Sequence, residues 1–328
     1  MTKIAVAIIH GIGEQDDTFA QVIEDGVRRF FEDEIRPFSD NPKAELVVEP
    51  VWWARALSDA ENEFHDRIIG KRFDDKETFL TALSDSDKPN FERLYQEYMD
   101  ELKSLDMDYM RLRAFIVRSG ADVIAYQPIP GNRVSYDRIH NYVSEHITSL
   151  ANNAGANAPL CVIAHSLGTV VASNYLWDLQ HIERNRDKTL VVAQAEQRVD
   201  TPVEKGETLT HFYTLGSPLA LWGLRWSESS VPFGVPISFP APELKQHHPK
   251  LSGEWINFYD KDDVAAYPLR PLNALYRKRV QEDRHVEVGN WRTGWNPGSH
   301  LGYWRSEKVQ RPIAEALAKT WKVINNKG

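Results

Sequence analysis

Leu160-Cys161-Val162-Ile163-Ala164-His165-Ser166-Leu167-Gly168 is the stretch whose reading decides the fold. Leu160 to Ala164 form a short apolar run, β-branched in part, with the length of a buried strand. Beyond Gly168, Val170, Val171, Tyr175, Leu176 and Leu179 recur at helical spacing. Ser166 therefore falls where a strand turns sharply into a helix, the geometry that lifts a hydroxyl above a sheet. In such a turn the residues two before and two after the serine come close together, so Gly168 fits and Ala164 is tolerated. Small-x-Ser-x-Gly arises readily by chance. The flanking strand and helix make it specific.

Outward from this turn, strand-like and helix-like segments alternate. Ile4 to Ile9 reads as a buried strand, followed by His10-Gly11-Ile12-Gly13. A helix is expected from about Thr18 to Ile35, capped by Asp16 or Asp17, and a second strand from Leu46 to Trp53. Residues 54–118 are charged and helical in pattern, an expected helical insertion. Asp122 to Tyr126 reads as a short strand or a helix end, and Tyr136 to Leu150 as a helix. The polar stretch 183–208 reads as a hairpin or an excursion. Thr210 to Leu215 and Glu254 to Tyr259 are further strands, Val286 to Val288 a last short one, and Ser306 to Ile324 a closing helix. Residues 227–253 carry five prolines, which exclude a central strand or regular helix there. Alternation of this kind implies one α/β domain over 1–328, with a mostly parallel sheet and helices on both faces.

Composition narrows the function. With 328 residues, 42% of them hydrophobic, the chain can bury a large core, while a net charge of −8 argues against a nucleic-acid binder that neutralises phosphates. The single cysteine, Cys161, lies in the predicted elbow strand and reads as core. Ile4 to Ile9 is too short for a secretory leader, and no apolar run has the length of a transmembrane helix. The expectation is a cytoplasmic protein with no transmembrane segment.

A serine hydroxyl needs a base to take its proton, and the base needs a carboxylate to orient it. In a parallel sheet such groups gather on loops at the carboxyl ends of the strands. Asp262 follows the strand ending at Tyr259, and His300 precedes the closing helix in Gly298-Ser299-His300-Leu301-Gly302. The expected set is Ser166, Asp262 and His300, with Asp263 and Asp260 as rivals for the acid. His285, His247 and His248 read as solvent-exposed. An oxyanion is expected to meet the backbone N–H of Leu167, at a helix N-terminus, and that of Ile12 in the first glycine loop. His10 reads as a loop-orienting residue. This chemistry requires no cofactor and no metal.

These motifs, with Leu215-Gly216-Ser217-Pro218, Trp255 to Tyr259, Asp262-x-Val264 and Ser299-His300, resemble the α/β-hydrolase superfamily. Within it the chain is similar to serine esterases and lipases that begin with His-Gly-Ile-Gly. Ala164 stands where the family more often has glycine. The family's usual leading strands are missing, so the resemblance implies a reduced sheet of about six strands. It also implies an ester substrate, small or lipid, cleaved through an acyl-enzyme, and a lid formed by 54–118 or 227–253; Trp222, Trp226, Phe233 and Phe239 would suit an apolar acyl group. An amidase, peptidase or thioesterase on the same residues, and a non-catalytic binding protein of the same fold, are the alternatives.

Overall fold

The computed structural model describes residues 1–11, 20–56, 126–127, 133–181, 200–288 and 299–327. Six strands form one sheet: β1 (Ile4–Ile9), β2 (Leu46–Val51), β3 (Leu160–His165), β4 (Leu209–Leu215), β5 (Glu254–Tyr259) and β6 (Glu282–His285), in the order β2-β1-β3-β4-β5-β6. Every pairing is parallel. The sheet is fed by helices α1 (Gln21–Ile35), α2 (Val134–Ala154), α3 (Leu167–Gln180), α4 (Ala274–Arg279) and α5 (Glu307–Ile324). Strand order reverses at β1, which has β2 on one side and β3 on the other. The carboxyl ends of β1 and β3 thus flank a topological switch point, where open α/β sheets bind ligands.

β1 and β3 are buried along their whole length, as strands covered on both faces must be. Ile4, Val6 and Ile8 join Cys161 and Ile163 on one face, packed with Ile23, Val27 and Phe31 of α1 and Ile313, Leu317 and Trp321 of α5. Ile9, Leu160 and Val162 turn to the other face, toward Val143 and Ile147 of α2 and Ala172, Tyr175 and Leu176 of α3. The α1 face also buries Glu45, whose carboxylate accepts from the Trp321 indole at 3.0 Å and from the Ser39 hydroxyl at 3.3 Å. Cys161 is fully buried in this layer.

The last strand departs from expectation. It is Glu282–His285, while Val286 and Val288 lie beyond it. Val286 N–H donates to the Tyr259 carbonyl at 2.9 Å, but Val288 N–H turns aside to the Asp260 carboxylate at 2.8 Å. An edge strand has one neighbour and is commonly charged. In β6 the charge also organises a loop: Asp283 accepts from Asn257 Nδ2 and from the N–H groups of Leu269 and Arg270, each at 2.8 Å. The second strand is shorter than expected, ending at Val51, and Trp53–Ala56 forms a 3-10 turn. The first helix begins at Gln21 behind Ala20; the expected caps Asp16 and Asp17 lie outside the described residues.

The chain divides into two compact units. The larger comprises 1–11, 15–53 and 140–328 and contains the sheet; the smaller comprises 12–14 and 54–139. In the smaller unit Tyr126 stacks on Tyr136 at 5.2 Å, and Arg133 lies over the Tyr136 ring while pairing with Asp137. The expected insertion 54–118 and the stretch 183–208 lie outside the described residues except for 54–56 and 200–208. The segment 227–253 is made of turns and one short helix, Leu244–His247. Among the described residues no helix is long and apolar enough to cross a membrane.

Candidate active site

Ser166 occupies the turn between β3 and α3 with φ 53° and ψ −132°. A side chain rarely adopts this conformation, which costs on the order of 1–3 kcal/mol and persists only where the surroundings enforce it. Three bonds do so. Ser166 N–H donates to the Leu215 carbonyl of β4 at 2.9 Å, while the Ser166 carbonyl accepts from Thr169 N–H at 2.9 Å and from Thr169 Oγ1 at 2.7 Å. Thr169 Oγ1 also lies 2.8 Å from Ser217 Oγ, tying the elbow to the turn after β4.

The need for a small residue at 168 comes mainly from a neighbouring strand. A Cβ on Gly168 would lie 2.0 Å from the His10 carbonyl oxygen and 2.7 Å from that of Ile9. The closest atoms thus belong to the exit of β1 rather than to Ala164, the contact the sequence suggested. Gly11 is equally confined, since a Cβ there would meet Ser166 Cβ at 2.5 Å. The loop after β1 is anchored by Trp53, whose indole N–H donates to the His10 carbonyl at 2.8 Å and whose ring stacks parallel on the His10 imidazole. Burial holds His10 neutral, its pKa lowered to about 3. Leu167 opens α3, where leading N–H groups lack intrahelical partners and the dipole favours an anion. Ile12, the other expected oxyanion donor, lies outside the described residues.

His300 lies in the 3-10 segment Ser299–Arg305, and its Nδ1 is 2.8 Å from Asp263 Oδ2. The carboxylate that meets the imidazole is therefore Asp263, not Asp262. Asp262 is exposed, and its backbone N–H donates to Asp260 Oδ1 at 3.1 Å. The turn Asp260-Lys261-Asp262-Asp263 reverses the chain, closed by Asp263 N–H donating to the Asp260 carbonyl at 3.3 Å. Its fourth residue faces inward and its third faces solvent. Val264, which would anchor an Asp262-x-Val264 motif if buried, is 81% exposed. Asp260, the other rival, accepts from Val288 N–H and serves the turn.

Asp263 is a buried carboxylate surrounded by donors. Oδ1 accepts from Ala265 N–H at 3.0 Å; Oδ2 accepts from His300 Nδ1 and from the Tyr303 hydroxyl at 3.0 Å. Burial alone would raise its pKa, but the bond and charge of His300 with these other donors bring it below the ordinary carboxylate range. Because an ionised carboxylate only accepts, Nδ1 of His300 carries the proton and Nε2 is left as the basic nitrogen. Gly216, at φ +57°, makes room for the pair: a Cβ there would lie 3.1 Å from Asp263 Oδ2 and 3.2 Å from His300 Cε1.

His165 links the elbow to this pair. Its Nε2 donates to the His300 carbonyl at 2.7 Å, and the two rings lie 4.7 Å apart. Burial, then the neighbouring His300, lowers its pKa to about 3, so it stays neutral. His300 is thus joined to the residue that directly precedes Ser166. Among the described residues no hydrogen bond joins Ser166 Oγ to His300; contacts of this kind commonly tighten only in the substrate complex.

Sequence reasoning missed Tyr303, which belongs to no recognisable motif and lies one helical turn beyond His300. It also misplaced His248, which is buried and bonded to the Asn157 carbonyl, and His247, which pairs with Glu207. Of the aromatic residues expected near an acyl group, Trp226 is 55% exposed, whereas Phe239 packs edge-on against Trp255. Among the described residues no group of three or more His, Cys, Asp or Glu is arranged to hold a metal ion. Comparison of the chain with protein-family models, curated proteins and solved structures found no match.

Proposed function

We propose that the chain is a serine hydrolase of carboxylic esters with the α/β-hydrolase fold, using Ser166 as nucleophile, His300 as base and Asp263 as the acid that orients it. The observation carrying this reading is the pair of His300 with the buried Asp263 at 2.8 Å, joined through His165 to a serine held in a strained strand-to-helix turn. Strain at one turn and a fixed imidazole tautomer at the same sheet edge have a common use in acyl transfer.

In this mechanism Ser166 Oγ attacks the ester carbonyl carbon as its proton passes to His300 Nε2. Asp263 stabilises the imidazolium that forms and does not itself take the proton. The carbonyl electron pair moves onto oxygen, facing the N–H of Leu167 at the start of α3 and, by expectation, that of Ile12. Collapse of the tetrahedral adduct expels the alcohol, which takes the proton from His300. Water, deprotonated by the same imidazole, then cleaves the acyl-enzyme and restores Ser166.

A fluorophosphonate probe tests the reading, because it reacts with activated serines. The expected result is a single adduct on Ser166, abolished in Ser166→Ala and in His300→Ala. Labelling that survives in Ser166→Ala, or its absence from the folded unaltered protein, overturns the proposal. A series of p-nitrophenyl esters from acetyl to palmitoyl, run beside matched anilides and thioesters, then identifies the bond and the acyl length.

A further inference from the structure

The Tyr303 hydroxyl does two things at once. It accepts a hydrogen bond from the Asp260 N–H at 2.8 Å and donates one to Asp263 Oδ2 at 3.0 Å. The ring is fully buried, so the phenol exchanges neither bond with water. The bond from Asp260 leaves the phenol proton free to point at one acceptor only, and that acceptor is the oxygen already engaged by His300 Nδ1. One carboxylate oxygen therefore serves two donors. Each weakens the other's claim, because electron density drawn toward the phenol is unavailable to the imidazole.

We propose that Tyr303 is a positioning residue that shares Asp263 Oδ2 with His300 and thereby limits how strongly the carboxylate attracts the imidazole proton. The inference rests on the reading of His300 as the base. Its consequence is a base that stays unprotonated further into the acid range than the same pair would without the phenol. The titratable groups facing His300 are Asp263 from the turn after β5, His165 from the end of β3 and Tyr303 from its own segment. Behind them stand Asp260 against Tyr303 and His10 toward His165. His10 and His165 are held neutral by burial, and among the described residues no lysine or arginine joins these groups. Burial and the nearby Asp263 carboxylate both push the phenol's pKa far up, so Tyr303 remains a donor across the working range.

Tyr303→Phe removes one oxygen and keeps the ring. Two readouts on the full chain separate a tuning role from a merely structural one. The first is the low-field proton resonance of His300 Nδ1–H, which reports the bond to Asp263 and requires no turnover. The second is the acid limb of kcat/KM for p-nitrophenyl acetate. In Tyr303→Phe the resonance moves further downfield, and the acid limb moves up by about 0.5–1 pH unit, part of the free energy of one hydrogen bond to a charged group. 3-Fluorotyrosine installed at position 303 keeps the shape and strengthens the donor, so both readouts move the opposite way. Should Tyr303→Phe fail to fold, the fluorinated protein decides alone. A resonance and an acid limb that stay in place in either variant, with kcat alone reduced, overturn the proposal. If the unaltered protein hydrolyses no ester while the resonance shifts as described, the sharing stands and the esterase reading falls.

Discussion

Replacing Asp263 with asparagine tests the centre of the site, and its cost follows from the bonds that the carboxylate accepts. Three donors converge on it: His300 Nδ1–H, the Tyr303 hydroxyl and the Ala265 N–H. A carboxamide has one accepting oxygen and one donating NH2. If the oxygen faces His300 and Tyr303, the NH2 collides with the Ala265 N–H. If the NH2 faces His300, the imidazole must accept at Nδ1 and carry its proton on Nε2, where it no longer serves as a base. The second arrangement corresponds to a loss on the order of 10⁴ in kcat for triads of this type, or roughly 5.4 kcal/mol of transition-state stabilisation. Loss of a satisfied buried partner adds about 1–3 kcal/mol of destabilisation. Asp262→Asn, at an exposed position, is expected to stay within about 0.5 kcal/mol in stability and to retain activity. The assay is kcat/KM with p-nitrophenyl acetate at neutral pH, with urea unfolding of each variant alongside. Asp263→Asn retaining more than about a tenth of the activity, or Asp262→Asn losing as much as Asp263→Asn, would refute the assignment; on the scale used here tenfold is only ~1.4 kcal/mol.

Ser166→Gly should be more stable than Ser166→Ala by about 1 kcal/mol in thermal unfolding, since only glycine relaxes at this φ and ψ; equal stabilities would mean the turn is not strained. Gly168→Ala drives a Cβ to 2.0 Å from a backbone oxygen that cannot swing away, so it should cost at least ~3 kcal/mol or prevent folding, as circular dichroism and urea titration will report. Gly216→Ala, at φ +57° and 2.9 Å from Tyr303 Cε2, should cost about 1–3 kcal/mol and lower ester hydrolysis, and normal values for both would count against the packing described. Acid should destabilise the fold steeply. Burial holds His10, His165 and His211 near pKa 3, so below the unfolded value of 6.5 the unfolded chain binds protons that the folded chain refuses. Their stabilising effect is complete above pH 6.5 and is lost as pH falls from 6.5 toward 3. By pH 5.5 the three together cost roughly 4 kcal/mol, at ~1.36 kcal/mol per histidine per pH unit. Urea unfolding at pH 7.5 and 5.5 measures it, and an equal or higher stability at pH 5.5 would contradict the burial argument.

Much of this was legible in the chain. The apolar runs of β1 and β3 announce strands because burial on both faces favours apolar side chains, while β4 and β5 keep a strand pattern although they bury Thr210, His211, Thr214 and Asn257, which hydrogen-bond within the core. The elbow was legible because a strand, a small-residue turn and a helical period follow one another without a gap. β6 was not, because an edge strand whose Asp283 organises a neighbouring loop needs polar side chains, and hydrophobic periodicity is silent there. His248 looked like a loop residue among prolines, and only its bond to Asn157 explains its burial.

The sequence by itself determined that strands and helices alternate, that Ser166 stands at a sharp turn, and that His300 and the aspartates just after β5 are candidates to act with it. Those are local properties, written in residue type and spacing. Which aspartate faces inward, why position 168 must be glycine and that Tyr303 shares the carboxylate were decided only by tertiary structure. Each depends on atoms from segments far apart in the chain, such as His10 against Gly168 or His300 against Asp263. A reversal of one residue in a turn exchanges a buried partner for solvent, and no periodicity along the chain records that choice.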